Sequence, residues 1–258
     1  MSFVSFEKTG SVATITLDRP ERRNAFNTPM SVEIEAAIDQ VESDDGIRAA
    51  VLRATYSGAR PVFCAGYDLT GGIGDEHGAF TERGGFGGLT ARDRSKPLIA
   101  AVDGFAVAGG FELVLACDLI VASRRASFAL AEVKWNLIAA AGGVVRLTRI
   151  VGRPVAMDLL LTGSELPADR AFQLGLVSRL AEDGDVDAVA LDLAATIAAN
   201  APLAVRLTRA AVIRSEYCDD VEAEKLNADL TEAVGDSADS AEGVRAFLER
   251  RAPVWTGR

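Results

Sequence analysis

SKPLIAAVDGFAVAGGFELVLACDL, residues 95–119, decides how the rest of the chain is read. Its first half, PLIAAVDG (97–104), is a short apolar run that ends at Asp103-Gly104, the pattern of a strand buried on both faces. Its second half, FAVAGGFELVLACDL (105–119), is apolar except for one carboxylate, Glu112, with Gly109 and Gly110 just before it. Burying an unpaired carboxylate is costly, and glycine weakens any helix or strand that it interrupts. Their coincidence asks for a reason beyond packing. Gly109-Gly110 reads as a junction where a helix starts and leaves backbone N–H groups unused.

Outward from this stretch, the N-terminal side reads as strands and one helix. VSFEKTGSVATITLDRP gives two short strands joined at Lys8-Thr9-Gly10 and stopped by Pro20. After RRNAF, Asn27 or Thr28 caps a helix with Pro29 in its first turn, and Met30, Ile34, Ala37, Ile38 and Val41 recur at helical spacing. AAVLRAT (49–55) and PVFCAG (61–66) follow as extended segments. Residues 71–88 hold eight of the 24 glycines and no periodic pattern, so a mobile loop is expected there, solvated connector and functional flap being equal readings. DLIVAS (118–123) closes the strand-rich part, and alternating strands and helices predict a mostly parallel sheet in an α/β core. From Pro154 onward the pattern is helix after helix, which predicts a C-terminal helical layer.

The totals exclude whole classes of function. The 258 residues suit one large domain or a domain with an appendage, and 49% hydrophobic and 25% charged residues are ordinary for a globular chain. The net charge of −10 argues against nucleic-acid binding, and an anionic ligand would need a local cluster of Arg or Lys. No run reaches the ~20 apolar residues of a membrane span, and MSFVSFEKTG lacks the marks of a signal peptide. Cys64, Cys117 and Cys218 form neither a disulfide framework nor a metal motif, so a reduced, cytoplasmic protein without a metal is expected. The single histidine, His77, reads as a loop residue. Acid–base chemistry therefore falls to carboxylates, lysine, tyrosine or backbone groups. GGFGG has no following Lys-Ser/Thr, and ATP, NAD and flavin sites find no support.

Two glycine junctions and two acids then stand out. Gly66, in FCAGYDL, follows a buried strand and precedes Asp68, as at a helix start with an acid near its first N–H groups. With Gly109 it offers backbone N–H groups that could converge as an oxyanion hole. Glu112 and Glu132, the latter in FALAEVKWNLIAAAGGVVRL, are acids in apolar surroundings. Sharing one cavity would push their pKa values up and apart, which supports separate acid and base roles.

RRNAF, FCAGYDL, SKPLIAAVDGFAVAGGFELVLACDL, ASFALAEVKWNLIAAAGGVVRL and EGVRAFLERRAP resemble, in order and spacing, the motifs of the enoyl-CoA hydratase/isomerase (crotonase) superfamily, and together they span nearly the whole chain. The resemblance implies an α/β crotonase (ClpP-like) spiral of ββα turns over residues 1–195, and a C-terminal helical trimerisation region over 196–258 that can build hexamers. It implies acyl-CoA thioester substrates, coenzyme A being part of the substrate and no separate cofactor being needed. The N–H groups of Tyr67 and Gly109 become the oxyanion hole, and Glu112 and Glu132 become the pair that holds water beside a trans-2-enoyl-CoA. It also carries CoA and substrate contacts to Arg22, Arg23, Ala25, Ala65, Gly66, Asp68, Leu69, Trp135, Phe247 and Arg250. The chain departs from the family pattern at Ala131 and Ala139, where proline is usual, at Ala108, where many members have glycine, and at Tyr67, where alanine is usual. Lys134 and Trp135 after Glu132 mark a differently shaped acyl end. A double-bond isomerase, a dehydratase of another 3-hydroxyacyl-CoA and a non-catalytic acyl-CoA carrier are the alternatives.

Overall fold

The computed structural model describes residues 2–71 and 78–257. Among the described residues, two main sheets and a set of helices are wound so that the chain visits each of these sheets in turn. The larger sheet has the order β1 (Val4–Thr9), β2 (Val12–Leu17), β3 (Ala49–Ala54), β7 (Leu98–Val102), β9 (Leu119–Ser123) and β12 (Arg179–Ala181). Only the β1–β2 hairpin is antiparallel; every later neighbour is parallel. The smaller sheet runs β11 (Leu166–Pro167), β10 (Ser127–Ala129), β8 (Phe105–Val107) and β4 (Val62–Cys64). Thus β3 and β4, β7 and β8, and β9 and β10 are successive pairs that give one strand to each sheet. Repetition of this step produces a spiral of ββα turns, as the family resemblance implies.

The β7 strand explains why its sequence is apolar throughout. Leu98, Ala100 and Val102 face the main core, packed with Ile15, Leu52 and Ile120, while Ile99 and Ala101 face the opposite side. That second face is closed by α6 (Val186–Ala198) through Val186, Ala190, Leu193 and Ala194. A central parallel strand covered on both faces has no position where a polar residue is cheap. The split expected between residues 195 and 196 falls within this helix, whose buried face belongs to the sheet.

On the inner side lie α1 (Thr28–Ser43) and α2 (Gly109–Leu115). Asn27 caps α1 by accepting from Met30 N at 3.1 Å, and Met30, Ile34, Ala37, Ile38 and Val41 form its buried stripe, as their spacing predicts. The C-terminal part contains α3 (Gly143–Val151), α4 (Arg153–Thr162), α5 (Ala168–Gln173), α7 (Pro202–Ser215), α8 (Asp220–Gly235) and α9 (Ala238–Glu249). It is not purely helical, because β11 and β12 interrupt it. Both are too short to show a period of two.

Residues 78–88 correct the expectation of a patternless mobile loop. They form a small hairpin of β5 (Phe80–Thr81) and β6 (Gly85–Phe86), and Phe86 is buried against Phe26 and Phe80 at ring separations of 5.8 and 5.5 Å. The glycines serve close packing: a Cβ on Gly88 would run into the Ser31 carbonyl of α1, and one on Gly85 into Ala91. Residues 72–77, with His77, lie outside the described residues. No single helix among the described residues is long and apolar enough to cross a membrane.

Candidate active site

The site forms where β4 and β8 end side by side in the smaller sheet. RRNAF supplies its frame. Asn24, fully buried with φ 51°, donates from its amide to the carbonyls of Thr55 at 2.8 Å and Phe63 at 3.1 Å, and accepts from Arg19 N at 2.8 Å. This fixes the turn against the ends of β3 and β4. Phe26 then pairs with the segment after β4: Phe26 N donates to Gly66 O at 2.7 Å and Asp68 N donates to Phe26 O at 2.9 Å. In such a parallel bridge the N–H of the central residue, Tyr67, points away from Phe26.

On that other side stands the start of α2. A Cβ on Gly66 would lie 3.0 Å from Gly109 N, so the two glycine junctions are in contact. Gly109 is the first residue of its helix, and its N–H has no carbonyl one turn earlier to bond. A Cβ on Gly109 would lie 2.5 Å from the Phe86 ring, and one on Gly110 would strike the carbonyl of Cys64. Both glycines are therefore demanded by packing as well as by any ligand. Ala108, the residue before them, is held at φ 51°, ψ −129°, a conformation suited to glycine. The helix expected directly after Gly66 is only a single 3₁₀ turn, Leu69–Gly71. Asp68 acts as its cap, accepting from Thr70 N and Thr70 Oγ1, and it pairs with Arg19 at 2.6 Å. These bonds outweigh burial and hold the Asp68 carboxyl at about 2.

Glu112 lies in the first turn of α2, 4% exposed. Its Oε1 accepts from Ala141 N at 2.7 Å and Gly143 N at 2.9 Å, which places it over the start of α3. The site requires Gly143, since a Cβ there would come within 3.0 Å of Oε1. Burial pushes the Glu112 carboxyl above its ordinary value, and the two N–H groups and the Arg146 guanidinium oppose the rise. Glu132 opens a 3₁₀ turn, Glu132–Trp135, after β10. Its Oε2 is buried without a hydrogen-bond partner among the described residues. Burial raises the Glu132 carboxyl to about 7; a backbone N–H opposes this, and the Glu112 charge adds to it. The two acids thus share one electrostatic environment but differ in kind. Glu112 rests on two N–H groups that oppose the rise, whereas Glu132 has no partner on its Oε2 among the described residues and keeps its proton into the neutral range.

The match to the enoyl-CoA hydratase/isomerase family covers residues 7–258. The chain belongs to that family. It is an enzyme of the crotonase superfamily, and its spiral is the crotonase fold. Enoyl-CoA hydratase EchA19 of Mycobacterium tuberculosis is 38% identical over 258 residues, covering 98% of this chain and 96% of that protein. The carnitinyl-CoA dehydratase of Salmonella typhi is 35% identical over 263 residues, covering 97% of each. A solved enoyl-CoA hydratase from Mycobacterium tuberculosis H37Rv superposes with a TM-score of 0.93 at 41% identity, covering 100% of both chains.

Among the residues that the crotonase resemblance names, the fold brings Ala25, Ala65, Gly66, Tyr67, Asp68 and Gly109 to one corner. Arg22 and Arg23 are exposed on the RRNAF turn, and Leu69 is 57% exposed beside it. Trp135, 78% exposed, ends the turn that begins with Glu132. Phe247 and Arg250 are exposed on α9 and at its C-cap, and among the described residues no hydrogen bond, ion pair or ring contact joins them to the corner. Sequence reasoning missed the N–H groups of Ala141 and Gly143, and Arg146 beside them. The Gly142-Gly143 pair ahead of α3 was the available signal. No three His, Cys, Asp or Glu side chains among the described residues are grouped to hold a metal ion.

Proposed function

We propose that the chain is an enoyl-CoA hydratase, adding water across the double bond of a trans-2-enoyl-CoA to give a 3-hydroxyacyl-CoA. The observation that carries this reading is the unlike pair of glutamates: Glu112 on two N–H groups and Glu132 raised to about 7. An isomerase needs one carboxyl to carry a proton between carbons, whereas hydration needs one group to take a proton and another to give one. The thioester oxygen accepts from the N–H groups of Tyr67 and Gly109. Glu112 takes a proton from water as its oxygen bonds to C3, and negative charge passes through the C2–C3 π bond to the thioester oxygen. Glu132 delivers its proton to C2 and the enolate collapses. The helix dipole of α2 lies behind Gly109 and favours that charge. The step is redox-neutral, so coenzyme A enters only as part of the substrate.

A dehydratase of another 3-hydroxyacyl-CoA uses the same groups in reverse, and the similarity to the carnitinyl-CoA dehydratase supports that as the second reading. Arg22 and Arg23, exposed cations on an otherwise acidic chain, attract the CoA phosphates. Val244, Phe247 and Leu248, 62%, 82% and 74% exposed on α9, supply an apolar face for self-association, and the family resemblance implies that three or six chains assemble.

Crotonyl-CoA and longer trans-2-enoyl-CoAs are offered to the wild type, Glu112→Gln and Glu132→Gln, and loss of the conjugated-thioester absorbance is followed. Turnover by the wild type and its loss by at least about 100-fold in both variants are expected. A wild type that binds these thioesters without turnover sinks the hydratase reading and brings the dehydratase forward.

A further inference from the structure

Among the described residues Arg146 makes no hydrogen bond or ion pair with either glutamate, yet it is half-buried against the loop that holds one of them. Its Nη1 donates to Ala141 O at 2.9 Å and its Nη2 donates to Thr90 O at 2.5 Å. Ala141 is the residue whose N–H donates to Glu112 Oε1, so both sides of Ala141 are engaged, one by the acid and one by the guanidinium. Gly142, the N-cap of α3, has φ 96°, and a Cβ there would collide with the Arg146 guanidinium. Arg146 N also donates to Gly142 O at 3.0 Å, closing the first turn of α3 that presents Gly143 N to Glu112. Thr90 belongs to the segment that follows the β5–β6 hairpin, whose Phe86 packs on Gly109. One side chain therefore ties together the walls on both sides of α2.

We infer that Arg146 is a positioning residue, a clamp between Ala141 O and Thr90 O that holds the 141–143 N–H groups in place and so aims the Glu112 carboxylate at the reacting water. The inference rests on the hydratase reading for its catalytic consequence and on the hydrogen bonds alone for the clamp. Without the guanidinium the Ala141–Gly142 peptide loses the partner that fixes its plane. The two N–H groups then hold Oε1 in a wider range of directions. A misplacement of about 1 Å in a group that orients a reactant can cost on the order of 100-fold in rate, with substrate affinity untouched. The positive charge also favours the anionic form of Glu112.

The test uses the full chain with Arg146→Met, which keeps the length and apolar stem, and Arg146→Lys, which keeps the charge but offers no fork to span two carbonyls. Two readouts are taken: amide hydrogen exchange at Ala141 and Gly143, and kcat and KM with crotonyl-CoA. Faster exchange at both amides in Arg146→Met, with kcat lower by roughly 10- to 100-fold and KM within about twofold, is the expected result. Arg146→Lys should fall between the two proteins, and it serves alone if Arg146→Met does not fold. Unchanged amide exchange overturns the clamp whatever happens to the rate. Faster exchange with unchanged kcat on an active wild type overturns the positioning role. A wild type inactive on every enoyl thioester, with exchange still accelerated in the variants, overturns the hydratase reading and leaves the clamp standing.

Discussion

Glu132 carries a proton at a pH where an exposed glutamate has lost it, and this has a cost that can be measured. Its carboxyl titrates at about 7 in the folded chain instead of its ordinary value near 4.5. Between those values the native state binds more protons than the unfolded one, so its contribution to stability falls as pH rises through the window. Glu132→Gln removes that penalty. The variant should be more stable than the wild type at pH 8, by on the order of 1–2 kcal/mol after discounting for partial exposure, and close to it at pH 5, as read from thermal melts. Equal shifts at the two pH values would contradict the assignment. In the hydratase reading the proton donor is the same carboxyl, so kcat should decline on the alkaline side of about 7. Ala108 holds a second local strain at φ 51°. Ala108→Gly should stabilise the chain by about 1 kcal/mol, strain relief exceeding the entropy lost on ordering glycine, as read from denaturant midpoints.

At the scale of elements, the start of α2 is the junction where the larger side chains cannot enter. Gly109 faces the Phe86 ring and Gly110 faces the carbonyl of Cys64. A ring on a small hairpin can shift, whereas a strand carbonyl cannot without opening the sheet. Gly110→Ala should therefore cost more stability than Gly109→Ala, about 3 kcal/mol or more against about 1–3 kcal/mol. Thermal melts of the two variants decide the order, and the reverse order would refute the packing argument. The glycine-rich stretch teaches the same lesson. In sequence, residues 78–88 carry no period, because their glycines answer to neighbours on α1 and on the following segment. A turn demanded by tertiary contact leaves composition behind but no pattern.

Across the whole molecule, Asp118 joins the sheet to the C-terminal helices. Its Oδ2 accepts from Arg94 Nη1 at 3.1 Å and from Leu98 N at 2.8 Å, and its Oδ1 accepts from Arg209 Nε on α7 at 2.9 Å. Burial raises the carboxyl, but the two guanidinium groups and the N–H outweigh it and hold it below its ordinary value. The stabilisation is present at neutral pH and is lost as pH falls below the ordinary carboxylate range. Asp118→Asn leaves two cations under-compensated and should cost about 3 kcal/mol, with hydrogen exchange rising first in α7. A uniform rise over the larger sheet would argue that α7 is not the element released. The apolar face of α9 poses the remaining question at this scale. If three or six chains assemble as proposed, Val244→Glu with Leu248→Glu should give single chains in sedimentation, and an unchanged oligomeric mass would remove α9 from the contact.

Sequence by itself determined the alternation of strands and helices, a helix start at Asn27 or Thr28, the two glycine junctions and the two glutamates. These are local: period, capping chemistry and the cost of an acid in apolar surroundings act over a few neighbouring residues. Tertiary structure alone decided that Gly66 touches Gly109, that Phe86 fills the space beside Gly109, and that Glu112 rests on the N–H groups of Ala141 and Gly143. It also decided that β11 and β12 are strands, since two or three residues carry too little pattern to declare themselves. The physical reason is the same in each case. A site made of backbone N–H groups has no side-chain signature, and only the folded chain brings those groups from distant segments to one point.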